Sequence, residues 1–171
     1  MNVADYLKMS IPEECEVDTL RNPIRYIEGS GRLGTYGVAS CWVTMLYACN
    51  DMKRGILTHC AAERGYWQSQ ALAQMLQAHP QMKTSPVRKA IIFIGNACRF
   101  VDEITEAETL YARNMRLLKD TVRTEFDADL QIIKYPSSFI DVITTDEMNE
   151  IILSFDDSSW SAWFGSGKFE L

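Results

Sequence analysis

Long apolar runs are missing from this chain. No stretch approaches the ~20 consecutive apolar residues that span a bilayer, so membrane insertion is not expected. Basic stretches are missing too. The 171 residues carry a formal net charge of -6, and no segment forms the Lys/Arg stripe of a nucleic-acid binder, which argues against nucleic acid as a partner. Histidine is scarce, with two residues in all. Neither sits in a close Cys/His cluster, so a zinc site lacks its ligand set and no metal or other cofactor is expected. The five cysteines include no CxxC pair. An odd count without framework spacing fits reduced thiols in a cytoplasmic compartment. The opening MNVADYLKMSIPEECEVD has acids where a signal peptide has a basic region, and no apolar core follows. The expectation is a cytoplasmic protein, not one secreted by a cleaved signal.

What remains is globular material. Hydrophobic residues make up 47% and charged residues 23%, enough for one domain over residues 1–171 to bury a core without disulfides or metal. No internal repeat or low-complexity segment is present.

The pattern along the chain alternates strands and helices. Ile24–Glu28 reads as a short strand, and Gly29–Gly37 as a glycine-rich loop. Val38–Tyr47 is rich in Val, Trp, Thr and Tyr and apolar on both parities, a strand buried on two faces. Gly55–Cys60 is a second strand, and the two form a hairpin across the polar Ala48–Arg54. Tyr66–His79 is a helix with Trp67, Leu72, Met75 and Leu76 on one face and Pro80 as its stop. Lys89–Ile94 is a buried strand. Thr105–Glu125 is a helix opened by a Thr105/Glu108 capping box, with Leu110, Asn114, Leu117, Leu118 and Thr121 as its stripe. Asp129–Tyr135 is a strand, Phe139–Thr144 and Glu150–Phe155 are a hairpin, and Asp156–Leu171 is an aromatic tail. This order predicts an α+β fold: a mixed, largely antiparallel sheet or two-layer β-sandwich flanked by two main helices.

The stretch Gly29–Glu63 concentrates the chemistry. It holds five of nine glycines, three of five cysteines and His59. A cysteine becomes a nucleophile when a neighbour stabilises its thiolate, and histidine is the usual neighbour. A hairpin turning about Asn50 places Cys41 directly opposite His59 on one face, with β-carbons ~4.5–5.5 Å apart. A shift of two residues leaves them diagonal, and a shift of one separates them onto opposite faces. Against this stands the inert alternative, since free cysteine is most often a small buried hydrophobe. Cys49, Cys60 and Cys98 are assigned to that class. His79, at a helix C-terminus, is assigned a structural role. Gly29-Ser30-Gly31-Arg32-Leu33-Gly34 also matches GxGxxG. That reading needs a strand before it and a helix after it, whereas Glu28 precedes it and a strand-like segment follows.

The pattern Thr35-Tyr36-Gly37-Val38-Ala39-Ser40-Cys41, followed by Gly55-Ile56-Leu57-Thr58-His59, resembles the CheD family of chemoreceptor glutamine deamidases. Lys89–Asn96, Ala112-Arg113-Asn114 and the Phe139–Phe155 hairpin extend the likeness in order, so a CheD-like core covers about residues 30–155 with a C-terminal extension over 156–171. The Cys-His arrangement is also similar to that of the cytotoxic-necrotizing-factor-type deamidase toxins. The resemblance implies a hydrolase, a cysteine-dependent protein-glutamine deamidase. Its catalytic residues would be Cys41, His59 and Thr35, with Thr35 orienting the imidazole. Ser40, Gly37 and Gly34 would lie on the substrate side. It implies no cofactor, a protein partner carrying a glutamine, and a link to chemotaxis if that partner is a chemoreceptor. Two other readings stay open: a catalytically silent CheD-like protein-binding module, and a nucleotide-binding protein using the 29–34 glycines. Asn114 is read as satisfying buried backbone rather than touching substrate.

Overall fold

The computed structural model describes residue 17 and residues 21–29, 31–35, 41–94, 106–134, 151–155, 160–164 and 167–170. Among these, no helix is long and apolar enough to cross a membrane. The fold is α+β. Strands β1 (Ile24–Glu28), β3 (Cys41–Cys49), β4 (Lys53–Ala61), β5 (Val87–Ile94) and β6 (Asp129–Lys134) form an open five-stranded sheet. Its order is β1-β4-β3-β5-β6. All neighbours pair antiparallel except β5 and β6, which are parallel. A parallel pair needs a crossover, and here the crossover contains helix α2 (Glu106–Thr121).

Strand β3 is buried along nearly its whole length, which accounts for its apolar residues on both parities. One face carries Trp42, Leu46 and Ala48 against Ile56, Leu72, Leu76, Leu118, Val122 and Phe126. Several of these come from α2, its π-helical continuation Val122–Phe126, and helix α1 (Gly65–Ala78). The other face carries Cys41, Val43, Met45 and Tyr47, packed with Leu57, Ile91, Phe93, Leu33 and Val17. Leu33 belongs to β2 (Gly31–Thr35). That strand starts a second, four-stranded antiparallel sheet with β7 (Ile151–Phe155), β8 (Trp160–Phe164) and β9 (Gly167–Glu170), in the order β2-β7-β8-β9.

Two sequence expectations change here. Gly31–Thr35 was expected to be loop, yet it pairs residue for residue with Ile151–Phe155. Backbone pairing overrides the low strand preference of glycine. The stretch after Asp156 was expected to be a tail, yet it supplies β8 and β9. The Phe139–Thr144 strand, Thr105 and Cys98 lie outside the described residues.

Helix faces are shifted from the expected ones. On α1 the buried residues are Gly65, Gln68, Ser69, Leu72 and Leu76, while Trp67 is 40% exposed. On α2 Leu110 is 43% exposed, and Asn114, Met115 and Leu118 face inward. The reason lies in two polar contacts that hydrophobic periodicity does not register. Gln68 Nε2 donates to Thr44 Oγ1 at 3.2 Å and to Thr58 Oγ1, which seats α1 over β3 and β4. Asn114 Nδ2 donates to the carbonyls of Ala62 and Glu63 at 3.1 and 3.0 Å. As expected, Asn114 satisfies backbone, and it ties α2 to the start of α1.

Gly65 makes that approach feasible. A β-carbon there would stand 2.6 Å from Asn114 Cβ and 2.8 Å from Trp42 Cζ3. Replacing a helical glycine by alanine gains about 1 kcal/mol of propensity, but overpacking a tight core costs about 1–3 kcal/mol. Because neither opposing atom is the free end of a flexible chain, the steric term wins. Gly65→Ala should lower the urea midpoint, and an unchanged or raised midpoint would refute this packing.

Candidate active site

The site is built on the β3–β4 hairpin. Asn50 closes its turn: Oδ1 accepts from Met52 N at 3.0 Å and from Arg54 Nη1 at 2.7 Å. A side-chain oxygen bonding backbone two residues on is the Asx-type turn that favours asparagine. This centres the turn on Asp51, with Cys49 opposite Lys53. Cys41 therefore pairs with Ala61, and His59 pairs with Val43. The expected direct opposition of Cys41 and His59 is corrected to a diagonal. The shift is by two residues, so both remain on the same face. Diagonal β-carbons are ~7–8 Å apart, a gap that long and aromatic side chains span.

Both residues sit toward the end of the sheet remote from the turn. Cys41 is the first residue of β3 and is 9% exposed, His59 is 3% exposed, and Thr35 is fully buried. Thr35 arrives from the other sheet, as the last residue of β2. Its Oγ1 lies 2.6 Å from His59 Nδ1 and donates to the Val17 carbonyl at 2.5 Å. A hydroxyl has one proton and a carbonyl has none. With the Thr35 proton on Val17 O, the oxygen accepts from His59, so Nδ1 carries a proton. Nε2 is then the nitrogen that can take another. The threonine expected to orient the imidazole does contact it.

Other expected site residues fare differently. Gly34 is inside β2, opposite Ile152, and its carbonyl accepts from Val17 N at 2.8 Å. Sheet pairing thus replaces the open, substrate-facing loop expected there. Gly37 and Ser40 lie outside the described residues. Within the GxGxxG stretch Gly29 has a positive φ of 78°, and Gly31–Gly34 lie in β2. The next described element is strand β3. A dinucleotide fingerprint opens a helix with its glycines, and this one opens a strand.

His79 caps the end of α1 and stacks on Tyr26, with ring centroids 3.6 Å apart at 10°, which fits its structural assignment. Cys60 faces the helices, where Sγ contacts the carbonyls of Ala61 and Arg64 at 3.3 and 3.4 Å. Burial, and after it the nearby charge of a Cys41 thiolate, push the Cys60 thiol up to about 12. Such a thiol is protonated and unreactive at neutral pH. Cys49 is partly buried at the turn end. Among the described residues no group of three or more His, Cys, Asp or Glu side chains is arranged to hold a metal ion.

No protein-family model matches this chain, and no curated protein matches it. The reading of the site therefore stands on its own residues. Two participants escaped sequence reasoning, Val17 and Gln68. Each acts through a contact between segments far apart in the chain, which leaves no local spacing signal.

The raised Cys60 value makes a pH prediction. The fold favours the neutral thiol, so this contribution to stability is complete below the unfolded cysteine value of about 8.5. It is lost as pH rises through about 12. Burial of the Tyr47 phenol acts in the same direction. Chemical denaturation across that window should show falling stability. In Cys60→Ala the slope should be shallower by up to about 1.4 kcal/mol per pH unit, one proton's worth. Equal slopes would contradict the assignment.

Proposed function

We propose that the chain is a cysteine-dependent protein-glutamine deamidase. The observation that carries this is the set of three side chains on one buried face. Thr35 of β2 holds Nδ1 of His59, and His59 of β4 is diagonal to Cys41 of β3. The CheD-like order Thr, Ser-Cys, His supports the same reading from sequence.

The reaction follows from these groups. His59 Nε2 takes the Cys41 proton, and the Nδ1–H bond to Thr35 persists in the resulting imidazolium. The thiolate attacks the side-chain carboxamide carbon of a substrate glutamine and forms a C–S bond. The tetrahedral adduct collapses as the C–N bond breaks. The imidazolium returns its proton to the nitrogen, and ammonia leaves. Water, deprotonated by His59, then hydrolyses the thioester, giving glutamate and the free thiol. Atoms and charge balance without an external cofactor. Ser40 and Gly37 are proposed to border the substrate, with backbone N–H groups near Cys41 bonding the oxyanion. The substrate class is a protein presenting an exposed glutamine, and a chemoreceptor is the candidate the resemblance suggests.

Incubating candidate proteins with the chain and mapping them by mass spectrometry tests this. Glutamine should become glutamate at defined positions. Cys41→Ser should abolish the conversion, and His59→Ala should slow it by about 10²–10⁴. Conversion that survives in Cys41→Ser would overturn the mechanism. Bound substrate that is never converted would favour a silent binding module. A glutamine joined to an added amine as a substituted amide, or an alcohol released from a glutamate ester, would redirect the reading to transglutamination or ester hydrolysis through the same thioester.

A further inference from the structure

Pro23 touches His59 directly, and Val17 reaches it through Thr35. The His59 backbone N–H donates to the Pro23 carbonyl at 3.0 Å. The imidazole contacts Thr35, whose hydroxyl donates to the Val17 carbonyl. Val17 N donates in turn to Gly34 O at 2.8 Å, in the residue next to Thr35. The Val17 side chain is fully buried in the cluster that contains Leu33, Cys41 and Val43. Val17 is thus held to β2 through both its N–H and its C=O, and anchored by its side chain in the core beneath the site.

This arrangement has a consequence for proton position. A threonine hydroxyl beside an imidazole nitrogen can donate or accept. If it donates to Nδ1, the neutral ring carries its proton on Nε2 and has no lone pair there for the thiol. An outside acceptor for the Thr35 proton favours the other tautomer. The Val17 carbonyl is that acceptor. We infer that Val17 is a positioning residue whose main-chain carbonyl, acting through Thr35, sets the tautomer of His59. As a statement about activity this rests on the deamidase reading. As a statement about the imidazole it does not.

The chain has two histidines, so nitrogen NMR of the full-length protein labelled with ¹⁵N-histidine resolves each ring, with His79 as internal reference. At a pH where His59 is neutral, the wild type should show a single Nδ1–H tautomer. Thr35→Ser, which keeps the hydroxyl, should preserve it. Val17→Gly, which removes the buried anchor, should lower the Nδ1–H to Nε2–H ratio about tenfold, roughly the worth of one hydrogen bond, with His79 unmoved. Should Val17→Gly not fold, Val17→Ala decides, with a smaller change in the same direction expected. A wild-type ring protonated on Nε2 overturns the inference. So does a folded Val17 variant with the wild-type tautomer. Neither readout needs a substrate, so a failed search for deamidation leaves this test standing, and a failed tautomer test leaves the deamidation test standing.

Discussion

The register of β3 against β4 is the constraint on which the rest of the structure depends. It is set at one end by the Asn50 side chain, which holds Met52 N and Arg54 within the turn. It decides the fate of residues a full strand away. A slip of one residue would carry His59 to the helix side of the sheet, among Trp42 and Leu72, and bring Cys60 to the Cys41 face. The same register sets Thr44 opposite Thr58, where both meet Gln68 of α1. The hairpin turn, the helix docking and the Thr35–His59 contact are thus mutually consistent. Such agreement between local and global preferences is expected of a sequence that specifies one structure.

Two buried faces divide the work. The helix-facing side holds the larger apolar cluster, and its polar contacts, Gln68 and Asn114, are spent on orienting helices. The opposite side receives β2 and Val17, and there the polar contacts converge on one imidazole. Cys41 and Cys60 are close in sequence pairing but belong to different faces. Burial holds Cys60 protonated, whereas Cys41 shares its face with a histidine already committed at Nδ1. This difference in surroundings separates Cys41 from Cys60 as the candidate nucleophile.

Much of this was readable in the sequence because strand signals are local. Ile24–Glu28 matches its expected bounds, and β3, β4, β5 and α1 fall within a few residues of theirs. The α+β class followed from that order. The shared face of Cys41 and His59 was readable from parity alone, while their exact opposition was not, because loop length does not reveal which residue an asparagine side chain will cap. Gly31–Thr35 was misread because its strand character comes from a partner about 120 residues later, Ile151–Phe155, and glycine composition points the other way. Trp67 and Leu110 were placed on buried faces because apolar periodicity carries no information about Gln68 or Asn114. Val17 gave no signal at all: its contribution is a main-chain carbonyl, which every residue possesses.

The central claim is that Cys41 and His59 act as one unit, and the rate of thiol alkylation at neutral pH reports on it most directly. Peptide-resolved labelling with a mild alkylator should find Cys41 the fastest of the five cysteines, and His59→Ala should slow it by about tenfold or more as the thiolate loses its partner. Uniformly slow labelling of all five thiols, or a Cys41 rate indifferent to His59→Ala in a folded protein, would contradict the account.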